Sequence, residues 1–258
     1  MTSSPNGAAG PETVGSARWN ALDTWCEVLT VREADLPEVA ALAHARLAEL
    51  TDACLGADSE LAGLASGRPQ RISDVLALAL EAALRTSGFT DDRVGAGWRD
   101  VDLDRAASRV TVPEGLCLDV AASVRSWASD WVARSCADAL GVGCLVNLGG
   151  DIAVRGEVPD GGWQVEIEDG PPDSRGYPVI SMGWPGGLAT RSATSGAWRS
   201  VTVAARTCER AGAAAGAAIL MDDAAPRWLT QRELPARLVH AGGVVVQTNG
   251  WPQERRLA

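Results

Sequence analysis

Asp119-Val120-Ala121-Ala122-Ser123-Val124-Arg125, continuing through Trp127, Asp130 and Trp131 to Leu140 and Gly141, decides the fold together with the segment behind it. That segment reads Cys144-Leu145-Val146-Asn147-Leu148-Gly149-Gly150-Asp151-Ile152-Ala153-Val154-Arg155. Apolar residues at Val120, Val124, Trp127, Ala128, Trp131 and Val132 keep helical spacing, and Gly141 supplies the stop. Ser126, Ser129, Asp130 and Arg134 fall between them, so the expected helix has one core face and one polar face. Residues 144–155 then read as a strand, a glycine turn and a returning strand.

Trp25 to Val31 reads as a strand. Asp35 with Pro37 marks the start of a helix that carries Val39, Leu42, Leu47 and Leu50 and breaks near Asp52. A second helix runs from Ser73 to Gly88. Short strand material follows at Trp98 to Leu103, Arg109 to Val112 and Leu116 to Leu118. Further strands are expected at Trp163 to Glu168, Leu188 to Ala193 and Val201 to Ala205. An Ala/Gly helix from about Glu209 to Leu220, a short helix around Arg227 to Glu233 and a hairpin turned at Gly242-Gly243 close the chain. Helices and strands mix without alternating as a doubly wound sheet would, so the fold class is α+β. Residues 1–17, polar and small, read as a disordered tail, and 18–258 as one domain.

The composition narrows the chemistry. In 258 residues, 46% are hydrophobic and 22% charged, enough to bury a full core. A net charge of -10 repels phosphate backbones and anionic lipid, so neither nucleic acid nor membrane is an expected partner. All 23 basic residues are Arg, which removes lysine Schiff-base and lysine nucleophile chemistry. Ten Trp against one Tyr and one Phe leave indole as nearly the sole large ring. The six Cys form no C-x-x-C pair and read as small buried hydrophobes. With no secretory signal and no run of 18 apolar residues, a cytoplasmic location is expected.

Asp119 stands where a strand enters a helix, a place from which a carboxylate caps free N–H groups or projects into a cleft. Arg125 and Asp130 follow on the polar side, where a solvated face is the plain alternative. His44 and His240 are far apart in sequence, and Ser195 lacks a Gly-x-Ser-x-Gly context, so neither zinc nor a hydrolase elbow is supported.

The order Leu118-Asp119, Arg125, Asp130 and Asn147-Leu148-Gly149-Gly150-Asp151 resembles the FAD:protein FMN transferases, the ApbE-type flavin transferases. Asp58-Ser59-Glu60-Leu61, Thr194-Ser195-Gly196 and the helix Ala211 to Leu220 are similar to further family segments in the same order, so the resemblance spans roughly Arg18 to Trp251. It implies a single domain with two sub-parts around a central cleft. There FAD would meet Asp119, Asn147, Gly149, Gly150, Thr194 and Ser195, and Mg²⁺ on the diphosphate would assist attack by a client protein's Thr or Ser hydroxyl.

The departures fall on the chemistry. The family places Asp and Thr four apart on its metal-binding helix, whereas this chain has Gly212 and Gly216, which offer no side-chain ligand. Close helix packing is the expected reason for both glycines. A His-x-Ile-Asp-Pro excursion is replaced by Ala197-Trp198-Arg199-Ser200, and the family's helix lysine by Arg125. The expectation is therefore a cleft without its metal, with weak FAD affinity, that takes a planar aromatic small molecule or flavin. A client protein is a partner only if transfer persists. If the chain is an enzyme, Asp119, Asp130 and Asp151 are the acid/base candidates for a condensation or cyclisation, with Arg125 as an anion partner. Active FMN transfer with displaced metal ligands, and flavin binding without catalysis, are the alternatives.

Overall fold

The structure, a computed structural model, describes residues 13–87, 98–116, 118, 120–168, 176–248 and 250–256. Its strands are β1 (Gly15–Ala21), β2 (Thr24–Thr30), β3 (Pro69–Arg71), β4 (Asp102–Asp104), β5 (Arg109–Thr111), β6 (Cys144–Leu148), β7 (Asp151–Arg155), β8 (Trp163–Glu166), β9 (Pro178–Met182), β10 (Gly186–Ser192), β11 (Trp198–Ala205), β12 (Ala236–His240), β13 (Val245–Gln247) and β14 (Arg255–Arg256). The helices are α1 (Leu36–Cys54), α2 (Asp74–Ser87), α3 (Ala121–Leu140), α4 (Cys208–Met221) and α5 (Ala225–Gln231). Among the described residues, one antiparallel sheet runs β1-β2-β6-β7-β10-β11-β12-β13, and two small sheets run β14-β9-β8 and β3-β5-β4.

The central strands are apolar on both faces because each face has its own cover. Val146 and Ala153 point into the larger core with Leu50, Leu76, Leu80, Ala128, Val132 and Ala214 of the helices. Their neighbours Leu145, Ile152 and Val154 point the other way, onto Trp163, Ile180 and Met182 of the small sheet. The period of two thus sorts one apolar run into two cores. α3 lies on β6 and β7, and α4 on β10 and β11.

Several expectations change. α3 has no solvated polar face over its middle: Ser126, Ser129 and Asp130 are as buried as Ala128, because α1, α2 and α4 flank the helix above the sheet. β1 begins at Gly15, inside the expected tail, as an edge strand paired along its length with β2. β9, absent from the sequence reading, forms behind Pro178, which is tolerated at the first position of a strand. Trp98–Asp100 is a 3-10 turn, and Leu116 and Leu118 lie in no strand. Asp119, Cys117, Phe89 and the expected stop at Gly88 lie outside the described residues. Cys26, Cys54, Cys136, Cys144 and Cys208 are free and buried, and burial pushes the Cys26 and Cys54 thiols up to about 12.

Candidate functional site

Three turns meet at one end of the large sheet. The β1–β2 turn holds Leu22 and Asp23 at φ 52° and 57°, and the β6–β7 turn holds Gly149 and Gly150 at 61° and 94°. Positive φ at both central residues matches the twist of a hairpin; glycine takes it freely, whereas Leu22 adopts it at a cost of roughly 1–2 kcal/mol. The two turns touch. The Gly149 N–H donates to the Trp25 carbonyl at 3.0 Å, and a Cβ on Gly149 would run into Thr24 Oγ1. Asn147 spends its side chain inside the turn, its Oδ1 accepting from the Gly150 N–H at 2.9 Å.

The third turn, Thr194-Ser195-Gly196, joins β10 to β11 at the same end, because β10 runs antiparallel to β7 with Ala189 opposite Asp151. Thr194 and Ser195 are exposed. The end of α4 anchors the turn: the Ala197 N–H donates to Asp222 Oδ1 at 2.5 Å and Trp198 Nε1 to the Asp222 carbonyl at 2.7 Å.

Below these turns lies Asp151, 1% exposed. Arg191, one strand over, donates to it twice, Nη1 to Oδ1 at 2.6 Å and Nη2 to Oδ2 at 3.2 Å. Arg191 Nη2 also reaches Ser126 Oγ at 3.3 Å. Arg125 Nε stands 4.0 Å from Asp151 Oδ2, with 42% of its side chain exposed. One carboxylate thus faces two guanidinium groups, and the surplus positive charge is on the side chain that reaches solvent. Burial raises the Asp151 carboxyl above its usual value, against the opposing pull of Arg191 and Arg125. Burial would lower Arg191, but the Asp151 carboxylate more than offsets it and the guanidinium is raised. Both carboxyl oxygens of Asp151 accept from Arg191, the two-pronged geometry of a strong arginine–carboxylate pair.

Sequence reasoning missed Arg191. The signal available was a charged side chain in a strand that opens Gly186-Gly187-Leu188-Ala189, two residues beyond the partner of Asp151. Its space comes from Gly212: a Cβ there would lie 2.8 Å from Arg191 Nη2 and 2.5 Å from Ser126 Oγ. Close packing therefore explains Gly212. It does not explain Gly216, where a Cβ would meet nothing within 4 Å.

Asp130 lies elsewhere, in the frame of the fold. Its Oδ1 accepts from Arg155 Nη2 at 2.7 Å, and its Oδ2 accepts from the Glu209 N–H at 2.8 Å in the first turn of α4. Burial raises this carboxyl too, opposed by the Glu209 N–H and the Arg155 charge. The Asp58 to Leu61 segment is similarly committed: Ser59 Oγ donates to the Gly56 carbonyl at 2.8 Å, and Glu60 Oε1 accepts from the Ser73 N–H at 2.7 Å. The structure thus brings Asp151, Arg125 and the turns of Asn147–Gly150 and Thr194–Gly196 to one end of the sheet. It places Asp130 toward the other end, where β7 finishes.

Gly212 has no ligand atom, and both Asp151 oxygens hold Arg191. Among the described residues, no group of three or more His, Cys, Asp or Glu is placed to hold a metal ion, and no helix is long and apolar enough to cross a membrane.

Residues 90–196, which hold α3, the glycine turn and β10, match the ApbE family. No curated protein matches the chain. Among solved structures, the chain is similar to the apo flavinyl transferase ApbE of Pseudomonas stutzeri, with 18% identity, 93% of this chain and 97% of that one covered, and a TM-score of 0.76. The ApbE protein of Thermotoga maritima has 16% identity over 92% and 97% of the two chains, also with a TM-score of 0.76. The flavin transferase ApbE of Vibrio cholerae has 18% identity over 93% and 99%, again with a TM-score of 0.76. The middle of this α+β chain thus matches the ApbE family, and nearly its whole length shares the fold of these ApbE structures.

Proposed function

We propose that this protein binds a flavin-like, planar aromatic anion at the turn end of its sheet and does not carry out Mg²⁺-dependent FMN transfer. The observation that carries this reading is the Arg191–Asp151 pair: a guanidinium fills the space beside Gly212 where the family resemblance puts a metal-ligating side chain. A buried guanidinium repels a second cation placed next to it, and the donors that remain do not fit Mg²⁺. Arg191 neutralises Asp151, and Arg125 is left to meet the ligand's phosphate or carboxylate. Gly150, where a Cβ would meet nothing within 4 Å, lets a flat ring approach the turn without a side chain in the way. Asp151, with both oxygens committed, orients Arg191 and exchanges no proton. A condensation or cyclisation would therefore have to draw its acid/base group from Asp119 or from the ligand.

Flavin fluorescence titration of FAD, with and without EDTA and Mg²⁺, tests the reading. The expected result is weak binding indifferent to both additions, with no fluorescent band on a Thr-containing client domain after incubation with FAD and Mg²⁺. Tight binding abolished by EDTA, or flavinylation of the client, would overturn it in favour of an active transferase.

A further inference from the structure

At the opposite end of the sheet lies a cavity of about 600 Å³ that the reading above does not use. Trp184 and Pro185 before β10, Ala204 to Arg206 at the end of β11, Arg210 in α4, and Arg232 to Pro235 after α5 line it. The strand register separates it from the turns: β7 begins at Asp151 under the turns and ends at Arg155, whose Nη1 reaches the Gly186 carbonyl at the cavity end. Five residues of strand amount to roughly 16 Å.

Three arginines face this cavity against a single carboxylate, Glu233, in a chain whose net charge is -10. Such a concentration of positive charge runs against the overall balance of the chain. Arg206 and Arg210 have no carboxylate partner among the described residues, and Arg232 lies over the Trp228 ring at 4.3 Å. The positive character comes from side chains alone, since the first N–H groups of α4 are already spent on Asp130 and on Thr207 Oγ1. Beside these charges the lining offers apolar surface from Trp184, Pro185, Leu234 and Pro235. The Trp184 indole lies against Gly186, where a Cβ would come within 3.1 Å of its Cδ1 and Nε1.

We propose that this cavity binds an aromatic phosphomonoester. A phosphate dianion matches the net surplus of two positive charges, guanidinium forks fit its oxygens two at a time, and the indole and prolines offer a flat apolar wall to the ring. The volume falls within the range of small-molecule pockets, roughly 300–1,000 Å³.

The test uses the full chain and phenyl phosphate, titrated by calorimetry and by tryptophan fluorescence, with inorganic phosphate as a second arm. Saturable binding is expected that weakens as salt rises. The Arg206→Gln and Arg210→Gln variants should each lose about tenfold in affinity while melting as the parent does, since each removes one exposed charge-assisted contact. Inorganic phosphate should bind at least about tenfold more weakly, having no ring to bury. Absence of saturable binding, or equal affinity for inorganic phosphate, would overturn the proposal. Binding lost in Arg125→Gln but kept in Arg206→Gln and Arg210→Gln would also overturn it, because the phosphate would then sit at the turn end.

Discussion

Arg191 holds Asp151 with two nitrogens across neighbouring strands, at 2.6 and 3.2 Å, and the carboxylate it holds is almost wholly buried. Removing one member strands the other. Asp151→Asn and Arg191→Met should each cost about 3–5 kcal/mol, the usual penalty for leaving a buried charge unpaired. At this chain size that lowers the melting temperature by several degrees or more, read by calorimetry. The double variant Asp151→Asn with Arg191→Met should recover part of the loss. Single variants that melt with the parent would show that the pair contributes nothing.

The two glycines of α4 should respond in opposite directions. Gly212→Ala pushes a methyl against Arg191 and Ser126 and should destabilise by about 1–3 kcal/mol. Gly216→Ala meets open space in a helix interior and should stabilise by about 0.5–1 kcal/mol. Chemical denaturation midpoints check both, and a destabilising Gly216→Ala would contradict the described packing.

Asp130 makes a prediction about acid. Burial raises its folded-state value above 3.8, so in the interval just above 3.8 the folded chain holds more proton at this site than the unfolded chain. Stability from this group is therefore present below that interval and lost as pH rises through it. The melting-temperature difference between the parent and Asp130→Asn should shift in the parent's favour as pH falls from 7 toward 3.5. A shift the other way would mean that Arg155, rather than burial, governs the carboxyl.

Arg125 should matter to ligand and little to fold. Its contact with Asp151 is long and its side chain partly exposed, so Arg125→Gln should change stability by less than about 1 kcal/mol. FAD affinity should fall by about tenfold and lose much of its salt dependence. Unchanged FAD titration would remove Arg125 from the binding surface.

The helices were legible in the sequence because period and stop signals agreed: α1, α2 and α3 begin and end within a few residues of where Pro37, Ser73 and Gly141 put them. The Asn147–Asp151 turn was legible for the same reason, since paired glycines between apolar runs admit few alternatives. β1 and β9 were not. The first alternates small and polar residues at a sheet edge, and the second follows a Pro-rich stretch that reads as loop. The polar residues of α3 misled because periodicity records where apolar residues are, while three flanking helices decide what else is buried. Arg191 showed in the sequence only as a charge within a strand, and its role was not legible for a deeper reason. Its importance comes from a strand register and from an atom that Gly212 lacks, and no local pattern encodes either.

Asp130 bears on how the two ends of the sheet communicate. One carboxylate clamps α3, the start of α4 and the tip of β7 together, so the layer between the turn end and the arginine-lined cavity has little freedom to slide. A ligand at one end would then find the other end in the same conformation whether or not it was occupied. Linkage requires that two such ligands leave each other's affinity unchanged, so the two binding free energies would add.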